Sequence, residues 1–233
     1  EWWRGGHDVD DWAFGLVDRA RQPKPALASV ARVFAEAPYP AEVQASWPKV
    51  SIVVCAYNAA DTIDDCLRSL AALTYPDYEV IVIDDGSRDA TAAITRQYPD
   101  VRLVSIPNGG LAAARNLGIA EARGEIVAYT DADVRVDPDW LTYLVQPMLR
   151  GTMAGSGGPN VVPDDDAWIA QAVARAPGGP THVLLDDRVA EHVPGCNMAF
   201  RKSALEAIDG FNPVYLRAGD DVDICWRLQA RGE

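Results

Sequence analysis

Four short polar clusters hold the residues of this sequence that could do chemistry. Asp131-Ala132-Asp133 sets two carboxylates two residues apart. In an extended stretch such residues point the same way, so both can face one site, and paired anions suit a hard cation. Asp84-Asp85-Gly86-Ser87 offers two further carboxylates, in a segment whose Asp-Gly step also favours a turn. Arg115 falls in the first turns of a predicted helix entered from Asn108-Gly109-Gly110. Backbone N–H groups and the positive helix end favour anions there, and a guanidinium adds bidentate reach. Asp220-Asp221 precedes a helical stripe of Ile224, Cys225 and Leu228, which makes Asp221 the expected N-cap. The other polar features are blander. His7, His182 and His192 sit in no metal-ligand spacing, and Asp164-Asp165-Asp166 reads as a solvated acidic turn.

Positioning these clusters falls to repeated strand–helix units that begin at Pro48. Strands are predicted over 50–56, 78–83, 101–106 and 126–130. Between them run helices from an Asp61 cap to about Leu73, from Asp89 to Tyr98 and from Leu111 to Ala122, and another opens at Asp137-Pro138. Such alternation signals a mostly parallel central sheet flanked by helices. In open α/β sheets ligands bind at the carboxyl ends of the strands. Cys55-Ala56-Tyr57-Asn58 ends the first strand, Asp84-Asp85 the second and Asp131-Ala132-Asp133 the fourth, so three clusters converge on one edge. Residues 1–47 differ in texture, being rich in proline, with a helix expected from Pro25 to Ala37 whose stripe is Leu27, Val30, Ala31 and Phe34.

Composition narrows the partners. The 233 residues are 48% hydrophobic and 24% charged, as in an ordinary globular protein. A net charge of −13 and a pI near 4.6 exclude a nucleic-acid binder, which needs a basic face to neutralise phosphates. Acidity does not exclude phosphate-ester ligands, since a bound cation can stand between the carboxylates and the phosphates. The four cysteines make no CxxC pair, and two of them lie on apolar stretches and read as small buried hydrophobes, which favours a reducing compartment. No apolar run is long enough to span a membrane, and no signal peptide is present in this stretch.

Taken as a set, the motifs resemble family 2 glycosyltransferases. The resemblance begins with residues 49–58 and Ile81-Val82-Ile83-Asp84-Asp85-Gly86-Ser87, and continues through residues 108–116 and Thr130-Asp131-Ala132-Asp133. Gly195-Cys196-Asn197-Met198-Ala199-Phe200-Arg201 and Gly219-Asp220-Asp221-Val222-Asp223 complete it. It implies a GT-A type, Rossmann-like α/β fold and an inverting transfer from a nucleotide-diphosphate sugar, a UDP-sugar above all, to a carbohydrate or lipid-linked acceptor. The implied roles fall on individual positions. Asp85 would accept a hydrogen bond from the donor base, in a pocket shaped by Cys55, Ala56, Tyr57 and Asn58. Arg115 would contact the nucleotide or its diphosphate, Asp131 the ribose or sugar, and Asp133 the Mg2+ or Mn2+ cofactor. Asp221 would be the general base. Asp220 stands on the acceptor side where the family often has Glu.

Residues 48–233 are thus expected to be the catalytic domain, ending before its C-terminal part. Residues 1–47 read either as an extension or as the tail of a preceding domain, since residues 11–26 resemble the end of a barrel-type glycoside hydrolase. The expected location is cytoplasmic, with the inner face of the membrane as the option for a longer protein. Competing readings lack their signatures. A pyrophosphorylase needs a Gly-rich loop with lysine after the first strand, and a dinucleotide enzyme needs GxGxxG there. The N-terminal segment is too short to hold a hydrolase barrel. A non-catalytic nucleotide- or carbohydrate-binding module derived from such an enzyme remains the alternative.

Overall fold

A computed structural model of the chain describes residues 15–18, 20–149, 151, 153–163, 168–174, 183–186 and 189–232. The expected acidic turn at 164–166, His7, His182 and residues 11–14 and 19 of the hydrolase-like stretch lie outside these residues. Two compact units are present, Glu1–Ser46 and Trp47–Glu233. In the first, α1 (Pro25–Ala35) and α2 (Ala41–Gln44) follow a bridge between Val17 and Pro23. The α1 helix buries none of its residues, and Phe34 of the expected stripe is 75% exposed.

The second unit is an α/β sandwich around a six-stranded sheet. Its elements are β1 (Val50–Ala56), α3 (Ile63–Ala71), β2 (Tyr78–Asp84), α4 (Thr91–Thr95), β3 (Val101–Ser105), α5 (Leu111–Glu121), β4 (Ile126–Asp131) and α6 (Trp140–Leu149). There follow β5 (Gly155–Gly157), α7 (Trp168–Ala174), β6 (Val183–Leu184), β7 (Ala190–His192), β8 (Met198–Arg201), α8 (Lys202–Ala207) and α9 (Asp220–Gln229). Strand order is β3-β2-β1-β4-β8-β5, with β6 and β7 pairing separately. The first four strands are parallel, whereas β8 runs antiparallel to both β4 and β5.

The central strands are continuous apolar runs because both faces of the sheet are covered. Side chains alternate across β1. Ile52 and Val54 join Leu67 and Leu70 of α3 and Leu141 and Met148 of α6 on one face. Val53 joins Ile119 of α5, Tyr129 of β4, Phe211 and Ile224 of α9 on the other. At the amino edge, the buried Ser51 hydroxyl accepts the Arg123 and Gly124 amides and donates to Glu79, which fixes the start of β1 against its neighbours.

Order and register set the functional edge. The chain winds outward from β1 through β2 to β3, then returns to place β4 on the other side of β1. The crevice where strand order reverses opens at the carboxyl ends of β1 and β4. Cys55 stands abreast of Ile83 on one side and of Asp131 on the other. Because β8 is antiparallel, its start lies at that same edge, with Met198 beside Tyr129. No helix among the described residues is long and apolar enough to cross a membrane.

Candidate active site

Two cavities open at this edge. The smaller, about 320 Å³, is walled by Cys55 and Ala56 at the end of β1, by Tyr57 and Asp85 just past the ends of β1 and β2, and by Leu216 and Arg217 from the loop before α9. The larger, about 1350 Å³, holds Asp131, Asp133, Trp140 and Asn197 on its walls.

Asp85 is 5% exposed and ties the end of β2 to the loop entering α5. Its Oδ1 accepts the Gly109 amide at 2.7 Å, and its Oδ2 accepts the Gly110 amide and the Asn108 side chain, each at 3.0 Å. A carboxylate has about four acceptor positions, so one stays open toward the smaller cavity. The neighbouring Asp84 is structural, accepting the Ser87 amide and the Ser105 hydroxyl. Cys55 remains a neutral thiol, since burial pushes it up to about 12. Tyr57 is 53% exposed at the rim. Asn58, expected in this pocket, is not on its wall. It adopts a left-handed backbone, its amide donates to Ser87 Oγ, and its Oδ1 accepts the Arg88 amide.

Asp131 ends β4 and Asp133 lies in the turn after it, where the Val134 amide reaches the Asp131 carbonyl. The expected extended alternation is therefore absent. A turn brings both carboxylates to the larger cavity instead. Burial pushes the Asp131 carboxyl upward and the Arg115 guanidinium pulls it down. Asp133, Asp220 and Asp221 add to the rise, and the net direction is up. Among the described residues no group of three His, Cys, Asp or Glu side chains could hold a metal. The pair suits a cation that shares its coordination with ligand phosphates, as Mg2+ commonly does, rather than an all-protein cage.

The first turn of α9 carries Asp220, Asp221 and Asp223, beside the positive helix end that favours anions. Its N-cap is Gly219 at φ 90, so Asp221 lies inside the helix and not at the expected cap position. The three carboxylates have different partners. Asp220 is 1% exposed and accepts Arg115 Nη1 at 2.5 Å, which puts it beneath the surface instead of on an acceptor face. Asp223 accepts Arg227 Nε at 2.8 Å, and that guanidinium also donates to the carbonyls of Ile208 and Gly210. Asp221 alone of the three forms no ion pair among the described residues. Its Oδ2 accepts the Gly195 amide at 2.9 Å, and its Oδ1 accepts the amide of the next residue, Val222.

Arg115, expected on the donor diphosphate, is 3% exposed. Besides Asp220 it donates to the Gly195 carbonyl at 3.1 Å and lies 3.8 Å from Asp131. The exposed cation on the wall of the smaller cavity is Arg217, which carried no signal in the sequence, and neither did Leu216. Asn108 and Gly195 stood inside motifs, but nothing in their local sequence marks them as hydrogen-bond donors to the carboxylates of Asp85 and Asp221.

Known proteins resemble this chain in sequence and in fold. A family model described as glycosyl transferase family 2 matches residues 51–209. The succinoglycan biosynthesis protein ExoO of Rhizobium meliloti is 44% identical over 112 residues, 47% of this chain and 31% of that protein. The cholesterol galactosyltransferase of Borreliella burgdorferi is 38% identical over 100 residues, 41% of this chain and 28% of that protein. The chain spans about a third of the length of several curated relatives that it matches. Among solved structures, a mannosyltransferase from Pyrobaculum calidifontis in complex with GDP-Man and Mn2+ is 26% identical. Its TM-score is 0.63, over 88% of this chain and 60% of that one. S. aureus TarS 1-349 in complex with UDP-GlcNAc is 22% identical with a TM-score of 0.61, over 76% of this chain and 52% of that one, which is a likeness of fold. The fold is of the GT-A type. A match that runs from β1 past the Asp85 and Asp131 turns to residue 209 covers more than half of the chain and shows its family: the chain belongs to glycosyl transferase family 2.

Proposed function

We propose that residues 48–233 form the catalytic domain of an inverting glycosyltransferase that uses a nucleotide-diphosphate sugar and a divalent cation, with Asp221 as general base. One observation carries the assignment of the base: Asp221 is the single first-turn carboxylate of α9 without a cationic partner among the described residues, and each of its oxygens accepts one backbone amide. Each of its oxygens keeps an acceptor position for the proton of an acceptor hydroxyl. That hydroxyl oxygen would attack the anomeric carbon as the bond to the diphosphate breaks, so configuration inverts in one displacement.

Donor recognition is proposed for the smaller cavity. Asp85 would take a ring N–H of the base there, and Arg217 would stand near the phosphates. A UDP-sugar is the first donor to test, with GDP as the second arm. Asp131 and Asp133 would hold a Mg2+ or Mn2+ ion, which would neutralise charge on the leaving diphosphate. The acceptor is proposed to be a carbohydrate or lipid-linked hydroxyl, and the site cytoplasmic.

Thermal unfolding tests the donor site. UDP or GDP with Mn2+ should raise the melting temperature, and the same nucleotide with EDTA should do much less, because ligand binding to the native state stabilises by mass action. Equal shifts with and without metal would remove the cation from the proposal. Asp133→Ala should weaken metal-dependent binding. Asp221→Asn should leave binding intact and slow transfer by on the order of 10²–10⁴-fold. Nucleotide binding without any transfer would favour the non-catalytic module.

A further inference from the structure

Gly195 is held through both sides of its backbone. Its amide donates to Asp221 Oδ2 at 2.9 Å, and its carbonyl accepts Arg115 Nη2 at 3.1 Å. The glycine is required sterically, since a Cβ there would overlap the guanidinium. Through Nη1 the same guanidinium grips Asp220, the helix neighbour of Asp221, at 2.5 Å. On its remaining side lies Asp131, 3.8 Å away at the end of β4. The rings of Tyr129 and Phe211 flank it at 5.9 and 5.4 Å. With 3% of its surface exposed, Arg115 offers little to a ligand.

We propose that Arg115 is a positioning residue that sets the carboxylate of Asp221 against the donor-side Asp131, acting through Asp220 and the Gly195 backbone and not by touching the diphosphate. The claim rests on Asp221 being the base, as proposed above. A planar guanidinium can serve a carboxylate, a carbonyl and a second carboxylate in fixed directions at once. An ammonium on a flexible stem presents no such fork. Loss of the fork leaves the base-binding turn of the donor pocket whole, because the Asp85 carboxylate is held by Asn108, Gly109 and Gly110 and not by Arg115. It frees the loop that holds Asp221.

Arg115→Lys and Asp220→Asn test this, with Mn2+ plus UDP or GDP as binding probes and UDP-GlcNAc or GDP-mannose as turnover probes. Each variant is expected to keep the nucleotide–Mn2+ Kd within about twofold. Turnover at saturating donor should fall about 10–100-fold, as expected when a reacting group is misplaced by about 1 Å. The Gly195 amide, followed by selective 15N-glycine labelling, should exchange its hydrogen faster. A tenfold or larger loss of nucleotide affinity with saturating turnover unchanged would return Arg115 to direct diphosphate contact and overturn the proposal. Unaltered turnover with unaltered Gly195 exchange in both variants would overturn it as well. Should Arg115→Lys fail to fold, Asp220→Asn decides, since it removes the charge that anchors the fork while its amide oxygen still fills a hydrogen-bond position in the interior. If the unmodified chain binds neither nucleotide, the donor-site reading fails, and Gly195 exchange in the variants still judges the positioning claim.

Discussion

Asp85→Ala is expected to cost stability as well as binding. The Asp85 carboxylate accepts the backbone amides of Gly109 and Gly110 and the side chain of Asn108, at 2.7–3.0 Å. Truncation leaves two amides of a part-buried loop without their acceptor, and each such orphan costs about 1–3 kcal/mol. Water can reach part of this loop at the cavity mouth, so the lower half of that range applies, giving about 2–4 kcal/mol in all. For a unit of this size each kcal/mol moves the melting point by about 2–4 °C, so the midpoint should fall by roughly 5–15 °C. Asp85→Asn should be nearly as harmful, because its NH2 group would face an amide donor whichever way it is turned. The assay is thermal unfolding by circular dichroism for both variants, with isothermal titration of nucleotide alongside. A drop below about 2 °C in either variant, with native secondary structure retained, would refute the claim that Asp85 organises the 108–110 loop. It would leave the carboxylate serving a ligand alone.

Gly118→Ala in α5 should gain about 1 kcal/mol of helix propensity and lose about 1–3 kcal/mol to overlap with Val53 of β1. A net fall in melting temperature is expected. Tyr129→Phe should be neutral or stabilising by up to about 1–3 kcal/mol, because the buried hydroxyl has no hydrogen-bond partner among the described residues. Denaturant titration reads this directly. Burial pushes the Cys66 thiol from 9.0 up to about 12 and that of Cys225 to about 11. Both should resist iodoacetamide at pH 8 in the native state and react once unfolded. Because these folded-state values lie above the unfolded ones, their contribution to stability is whole below pH 9 and should be lost as pH rises toward 11–12. Arg217→Ala should weaken nucleotide binding and leave the melting temperature of the free protein within about 1 °C, as expected of an exposed side chain.

Much of the parallel half was legible in the sequence. The apolar runs at 50–56, 78–83 and 126–130 become β1, β2 and β4 to within a residue, because strands buried on both faces admit little else. Helix starts were less legible. Thr62, Ala90 and Gly219 precede α3, α4 and α9 without any side-chain cap, and Asp61 and Asp221, both expected to cap, do not. Strand β8 escaped the reading because four residues paired antiparallel carry no periodicity of their own. The partners of Asp220 and Arg115 were illegible for a related reason. Pairing across such a separation is fixed by where the sheet delivers two helices, and local composition holds no trace of it.

The same separation bears on how the chain is made. Asp220 follows Arg115 by 105 residues, a stretch that a ribosome adding about 5–20 residues per second needs roughly 5–20 s to supply. During that interval β1, β2, β3 and α5 are complete, yet the guanidinium has no buried carboxylate to meet. Only Asp131, 43% exposed on its side chain, can arrive early. Sealing an arginine in without its main partner costs several kcal/mol, so α5 should stay loosely docked, with Arg115 in water, until α9 emerges. The nascent protein would then acquire its sheet first and its reactive edge last, in a single late closing step.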